Sequence, residues 1–303
     1  MNPPSHTRSR LEIDTTDRDL LRALDARPTA SMRELAEEIG SSERTVARRY
    51  RRLRDAGIVA IRGRTLPGIG GGHVWLSRVR IDPPAAPRVA RELSHWDTSR
   101  WVRLSTDRTE LTCGLVLPAD RLHVLDTLSN VPGLRSLRHH ELLEVYTREP
   151  AAAASLDPVD PVDREIMAHL AQDGRATAAQ IARALGRDAS TVSRRRQRLV
   201  ESGLIYFEAD IHPAALSTSA DAMVWLGVAP GHIREVGHRL RSLGGCRFAA
   251  ACTGGPTVVA NLVSGSSAGL VQLIDEVLAG RGVHSCEIVR LGSTFKRTSP
   301  VPG

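Results

Sequence analysis

Arginine is the residue type that most plainly equips this chain for chemistry. Of 303 residues, 41 are Lys or Arg, and Lys296 is the sole lysine. The arginines concentrate in two segments, ERTVARRYRRLRDAG (43–57) and ASTVSRRRQRLVESG (189–203). A guanidinium can pair with a phosphate or donate two hydrogen bonds to a guanine edge. Together with a formal net charge of +7 and a pI near 10.0, this points to a polyanionic partner, expected to be double-stranded DNA. Other chemistry is poorly supplied. Cys113, Cys246, Cys252 and Cys286 form no C-x-x-C pair and have no histidine at zinc-site spacing, so buried free thiols are expected and no metal site. No G-x-S-x-G turn is present, and neither GIGGGHV nor GGPTVV ends in the Gly-Lys-Ser/Thr of a phosphate loop. No catalytic set and no cofactor are expected. His139-His140 is the one pair that an enzyme reading would use.

The elements that position the arginines occur twice. Residues 17–59 lie on 163–205 without a gap, so that Asp17, Leu24, Gly40, Thr45, Val46, Arg48, Arg49, Arg52 and Leu53 recur as Asp163, Leu170, Gly186, Thr191, Val192, Arg194, Arg195, Arg198 and Leu199. Looser similarity follows: Trp75-Leu76 is matched to Trp225-Leu226, Thr106 to Thr253 and Arg148 to Arg297. The chain reads as a tandem duplication. A Pro/Ala-rich stretch, EPAAAASLDPVDP, joins the copies.

Within each copy the apolar spacing predicts three short helices. Leu20, Leu21 and Leu24 mark one face; Met32, Leu35, Ala36 and Ile39 a second; Val46, Tyr50 and Leu53 a third. Ser31 and Ser42 are expected N-caps, and Gly40 suits the left-handed residue that ends the second helix. That order is a helix-turn-helix. Its third helix enters a major groove by its N-terminus, so early residues are expected at base edges and later arginines at phosphates. The expected DNA-contacting residues are Ser42, Glu43, Arg44, Thr45, Arg48, Arg49, Arg51 and Arg52 in the first copy, and Asp188, Ser190, Thr191, Arg194, Arg195 and Arg198 in the second. Arg196 stands where the first copy has the core residue Tyr50, so either its stem covers the core edge or the second motif is tilted.

Each copy continues with alternating strand and helix patterns. HVWLSRVRI, APRVARELSHW, strands near 101–106 and 110–117, ADRLHVLDTLSNV and a strand near 135–147 make βαββαβ, a ferredoxin-like order, and 222–297 repeat it. The fold class expected is therefore α+β: two tandem copies of a winged helix-turn-helix, each followed by a ferredoxin-like domain. The expected boundaries are a disordered tail at 1–10, helix-turn-helix domains at 11–62 and 160–210, ferredoxin-like sensing and dimerisation domains at 73–148 and 222–297, and a linker at 149–159. Neither a run of about eighteen apolar residues nor a secretory signal is seen, so a cytoplasmic protein without a membrane partner is expected.

This layout resembles the leucine-responsive regulatory protein/AsnC family, most specifically over DREIMAHLAQDGRATAAQIARALGRDASTVSRRRQRLVESGLI (163–205). The resemblance implies a transcriptional regulator that self-associates through its ferredoxin-like domains. It also implies an amino acid or related effector bound near the turn between the second and third strands, here Thr106, Asp107 and Arg108, and Thr253, Gly254 and Gly255. The first turn lacks the family's glycine and the second its acid. Two rival readings share the layout: a sirohaem-decarboxylase-like enzyme using His and Arg side chains, and a regulator that has lost DNA binding and acts only through partners.

Overall fold

The computed structural model describes residues 12–65, 72–146, 159–212, 215, 220–278 and 282–296. The expected tail at 1–10, almost all of the linker and the Arg148/Arg297 match lie outside the described residues.

The chain divides into two compact units. One contains the described residues up to Ile61 with 209–212 and 215; the other runs from Arg62 to Glu208 and from 220 to 296. The first unit holds α1 (Thr15–Ala26), α2 (Met32–Glu38) and α3 (Glu43–Asp55). Each start is set by a side-chain cap. Asp14 and Asp17 form one capping box, Ser31 and Glu34 a second, and Ser42 accepts the Thr45 amide. Gly40 has φ +65°, the left-handed turn between α2 and α3 that costs glycine least. Leu20, Leu21, Leu24, Leu35, Val46, Tyr50 and Leu53 are buried between the three helices.

The second unit repeats this motif as α6 (Pro161–Gln172), α7 (Ala178–Leu185) and α8 (Ala189–Glu201) around Ile166, Leu170, Ile181, Val192 and Leu199. Capping boxes Asp160/Asp163 and Thr177/Gln180 start α6 and α7, and Gly186 at φ +63° ends α7. The Arg196 side chain is half-buried, with its guanidinium carbon 5.9 Å from the Phe207 ring centroid. The side chain thus lies along Phe207 at the edge of the core, with Nε buried. The strands after the third helices, β1 (Val59–Thr65) and β6 (Ile205–Ile211), pair with each other as a two-stranded sheet.

Two ferredoxin-like domains complete the second unit. The first comprises β2 (Gly72–Ile81), α4 (Ala86–Ser94), β3 (Ser99–Ser105), β4 (Glu110–Pro118), α5 (Val124–Thr127) and β5 (Leu134–Val145). The second comprises β7 (Ala220–Val228), α9 (Ile233–Ser242), β8 (Cys246–Cys252), β9 (Val258–Ser264), α10 (Ser267–Leu278) and β10 (Val283–Lys296). The helix expected over 119–131 is broken into a four-residue α-turn between two 3₁₀ turns. Leu122, Leu125, Leu128 and Val131 recur every third residue, which is the 3₁₀ period.

The two sheets join edge to edge. Pairings β5–β8 and β10–β3, both antiparallel, close eight strands into a barrel ordered β10-β3-β4-β2-β5-β8-β9-β7. Its interior holds Leu76, Leu142, Met223, Trp225, Ala250, Cys252, Val259 and Leu291, while a separate core lies between each sheet and its helices. Closure leaves the described sheet no open edge.

The ladders correct one of the sequence matches. Glu110 follows the four-residue turn of the first hairpin and Thr257 that of the second. Two residues on, Thr112 pairs with Arg78, and Val259 pairs with Trp225. Arg78, not Trp75, is thus the structural counterpart of Trp225. Trp75 packs into the helix-side core, whereas Trp225 faces the barrel interior. A three-residue misalignment moves a side chain to the opposite face of a strand.

Candidate nucleic-acid interface and barrel centre

The third helix of each motif carries its arginines on two faces with different fates. Arg49 Nη1 donates to Asp14 Oδ2 at 2.7 Å and Asp17 Oδ1 at 2.8 Å, and Arg52 donates to the other Asp17 oxygen. Asp17 is fully buried. The second motif repeats the clamp: Arg195 Nη1 donates to Asp160 at 2.6 Å and Asp163 at 2.9 Å, and Arg198 donates to Asp163. The amide of Asp17 and the guanidinium of Arg49 together hold the Asp14 carboxyl below its usual range, and the equivalent donors lower Asp160. Hydrogen bonds donated to the two aspartates of each motif raise Arg49 and Arg195 above their ordinary values.

Arg49, Arg52, Arg195 and Arg198, which were expected at DNA, are thus engaged within the protein. They tie the third helix to the N-terminus of the first, because a buried carboxylate needs paired donors. The missed participants are Asp14, Asp17, Asp160 and Asp163; the recurrence of Asp17 as Asp163 inside the repeat was the available signal. Several polar residues are likewise engaged in caps. Ser42 Oγ accepts the Thr45 amide and donates to Thr45 Oγ1 at 2.8 Å. Asp188 Oδ1 accepts from the Ser190 and Thr191 amides and the Ser190 hydroxyl, which lowers its pKa. Arg51 reaches only back to the Ala47 carbonyl, at 3.3 Å. Glu43, Arg44, Arg48 and Arg194 are exposed and make no described ion pair or side-chain hydrogen bond. A polyanion approaching either third helix therefore meets Arg44, Arg48 and Arg51, or Arg194.

The effector turns are also engaged. Asp107 accepts from Ser105 Oγ at 2.5 Å, from the Thr109 amide and from Thr109 Oγ1, which holds its carboxyl low. Arg108 takes φ +61°, the glycine-like conformation its turn requires. The Thr106 amide donates to the Arg290 carbonyl on β10. In the second hairpin the Thr253 amide donates to Glu141 O, Thr253 Oγ1 accepts from the Glu141 amide, and His140 Nδ1 lies 2.7 Å from Thr253 O. A Cβ on Gly254 would lie 2.9 Å from His140 Nδ1, and Gly255 is exposed. Both turns thus dock on the opposite ferredoxin-like domain.

At the barrel centre lies a cluster that periodicity did not single out, although an arginine within HVWLSRVRI was its trace. Arg78 pairs in two-pronged fashion with Glu110 (3.0 and 2.8 Å) and with Glu287 (2.9 and 2.7 Å), and its guanidinium lies 4.5 Å from the Trp225 ring centroid. Burial alone would lower the Arg78 pKa, but the two carboxylates override it and hold the group charged; Arg78 in turn lowers Glu287. His140 lies 5.0 Å from Trp225, centroid to centroid. Burial lowers its pKa, and its Nε2 is buried without a partner. His139 points the other way, Nδ1 to Ser77 Oγ at 2.7 Å, so the two histidines do not form one site. The cysteines are all free, but Cys286 is exposed, against the expectation of buried thiols; burial pushes the thiols of Cys113 and Cys252 up to about 12, which leaves them unreactive. Among the described residues no group of three or more His, Cys, Asp or Glu could hold a metal, and no helix is long and apolar enough to cross a membrane.

A winged helix-turn-helix DNA-binding family model matches residues 13–60 and again 159–206. The HTH-type transcriptional regulator FL11 of Pyrococcus horikoshii is 30% identical over 146 residues, which is 48% of this chain and 97% of that protein. That is the length of one repeat. The Mycobacterium tuberculosis leucine response regulatory protein LrpA is 24% identical over 47% of this chain and 99% of its own, with a TM-score of 0.43. A siroheme decarboxylase, NirDL, is 15% identical and covers 93% of both chains with a TM-score of 0.62, a likeness of fold over nearly the whole length.

Proposed function

Since this chain belongs to the Lrp/AsnC family of helix-turn-helix transcriptional regulators, DNA binding is its shared activity, and we propose that one chain reads two unlike half-sites. The carrying observation is the division of labour on the third helices. The inward arginines are consumed by buried aspartates, while Arg44, Arg48 and Arg51 in one motif and Arg194 in the other remain exposed. Where the first helix offers Arg44, the second offers Ser190, whose hydroxyl is already bonded to Asp188. An arginine on a guanine edge is worth about 1–3 kcal/mol of discrimination at a base pair, so the two half-sites should differ. Selection from a random duplex library tests this. Unequal half-sites, with Arg44→Ser relaxing only one, support the reading; identical half-sites per chain overturn it.

The ferredoxin-like domains supply assembly and, in this reading, a place for an amino acid or related effector at the Thr106–Arg108 or Thr253–Gly255 turn. Such a ligand would have to use the exposed faces of turns whose backbones already bond the neighbouring domain. Thermal-shift screening of amino acids tests it.

A second reading, a tetrapyrrole-acting enzyme, is favoured by the full-length likeness to NirDL and by the unpartnered His140 Nε2. Against it, the barrel interior is filled by Trp225, Leu76, Met223 and Leu291 around the Arg78 ion pairs. Visible absorption after incubation with an iron tetrapyrrole, beside retention on DNA at 50 and 200 mM salt, separates the readings. A regulator that neutralises about six to ten phosphates loses roughly a thousandfold in affinity across that salt range.

A further inference from the structure

The two halves of the barrel are similar in backbone but unlike in the side chains they present to each other. On the pseudo-twofold axis a symmetric assembly would set one residue against its own copy. Here counterparts Arg78 and Trp225 meet, and Glu287, whose counterpart is Arg138, reaches across to Arg78. Arg103 of the first domain crosses to Asp221 of the second at 2.7 Å and lies 3.4 Å from Asn261. By register, the counterparts of Arg103 and Asp221 are Ala250 and Val74.

The outgoing strands add a steric match. Tyr146, just after β5, is buried in the core of the second domain and lies against Gly237 on α9, where any Cβ would overlap its ring. Phe295, in the corresponding place on β10, packs into the core of the first domain. The buried faces of α4 (Ala86, Val89, Ala90, Leu93) and α9 (Ile233, Val236, Gly237, Leu240) share one spacing, which makes Ala90 the counterpart of Gly237. The larger Tyr146 lies over glycine, and Phe295 packs against the core cluster that contains Ala90.

We infer that this interface is a matching code for unlike pairing, so that the first ferredoxin-like domain accepts only the second as partner, within one chain or in exchange between chains. First-with-first pairing would set Arg78, still paired with Glu110 of its own domain, against a second Arg78, with Arg138 in place of Glu287. It would also press Tyr146 on the Cβ of Ala90 and leave Arg103 without Asp221. Second-with-second pairing would stack Trp225 on Trp225, strip Glu287 of its arginine and leave a void under Phe295 at Gly237. Buried like charges, unpaired carboxylates and overlapping rings all disfavour the wrong partner. The code does not depend on the DNA-reading proposal.

The ladder supplies its own reporters. Leu142 faces Cys252 across β5–β8, and Ser105 is the structural counterpart of Cys252, since it faces Leu291 across β10–β3. Paired strand positions lie within disulfide reach. In the full chain, oxidised Leu142→Cys should cross-link to the native Cys252 within one chain. In Ser105→Cys/Leu142→Cys/Cys252→Ser/Cys286→Ser, which also removes the exposed native thiol, a cross-link between Cys-substituted positions 105 and 142 of two chains reports first domains pairing with each other. To remove the advantage of the tether, a protease site is placed between residues 149 and 159 and cut before oxidation in mild urea. No first-to-first cross-link is expected; the cross-link is the deciding readout, because the β1–β6 pairing also holds the cut halves together. Adding Arg78→Leu, Glu110→Gln and Tyr146→Leu should raise the first-to-first product at least several-fold; Tyr146→Leu alone serves if the combination does not fold. First-to-first product in the parent reporter, or no increase in the relaxed chains, would overturn the inference.

Discussion

Truncating Arg49 separates a scaffold arginine from Arg44, the one proposed to read DNA. In Arg49→Ala two charge-assisted bonds vanish, one to the exposed Asp14 and one to the buried Asp17. A hydrogen bond to a charged group contributes about 1.5–3 kcal/mol, whereas an exposed ion pair gives about 0–1. Asp17 keeps Arg52, so its carboxylate is weakened rather than stranded. The expected cost is about 2–3 kcal/mol, large for a motif whose core is a handful of leucines. Arg44→Ala removes no intramolecular bond, and a surface change of that kind lies within about 0.5 kcal/mol of neutral; it should instead weaken DNA binding by about 1–3 kcal/mol at a specific site. Urea denaturation followed by far-ultraviolet circular dichroism, paired with fluorescence anisotropy on a labelled duplex, reads both quantities. At temperatures where Arg49→Ala stays folded, its salt dependence of binding should equal that of the parent. If Arg49→Ala keeps full stability yet lowers the salt slope by one phosphate, the scaffold assignment is wrong and the residue belongs at the DNA backbone.

Three other outcomes are expected. Arg78→Leu leaves Glu110 buried beside nothing of opposite charge except the exposed Arg80, and should destabilise the barrel by about 3–5 kcal/mol, whereas Arg78→Leu with Glu110→Gln should recover most of it; thermal unfolding of both checks this. His140 is kept neutral by burial and by the nearby Arg78, so its folded pKa is below its unfolded value. It therefore contributes no pH dependence above about 6.5. Stability should fall as pH drops from there toward the folded pKa, because the unfolded chain binds the proton first; His140→Asn should flatten that part of the urea-midpoint profile, and an unchanged profile would remove His140 from the account. Gly186→Ala, at φ +63° with open space around a Cβ, should cost about 1 kcal/mol through backbone strain alone, and Gly186→Asn less, as measured by urea midpoints.

Local chemistry was legible in the sequence. Caps at Ser31 and Ser42, the left-handed Gly40 and the apolar faces of α1 to α3 depend on residues within about four positions of one another, where helix geometry alone dictates the neighbours. The duplication was legible for the same reason, since a gapless repeat preserves every local spacing. Tertiary structure decided what depends on distant partners. Whether an arginine on α3 faces DNA or a carboxylate turns on Asp17, thirty-odd residues away, and periodicity separates only a buried face from an exposed one, so Arg49 and Arg44 look alike. The strand repeats were misread by three residues at Trp75 and Trp225 because alternation has period two and register is set by ladder partners in other strands. The meeting of Arg78 with Trp225 and Glu287 could not be read locally at all. It exists because two sheets close into one barrel, and closure is a property of edges that only the folded chain brings together.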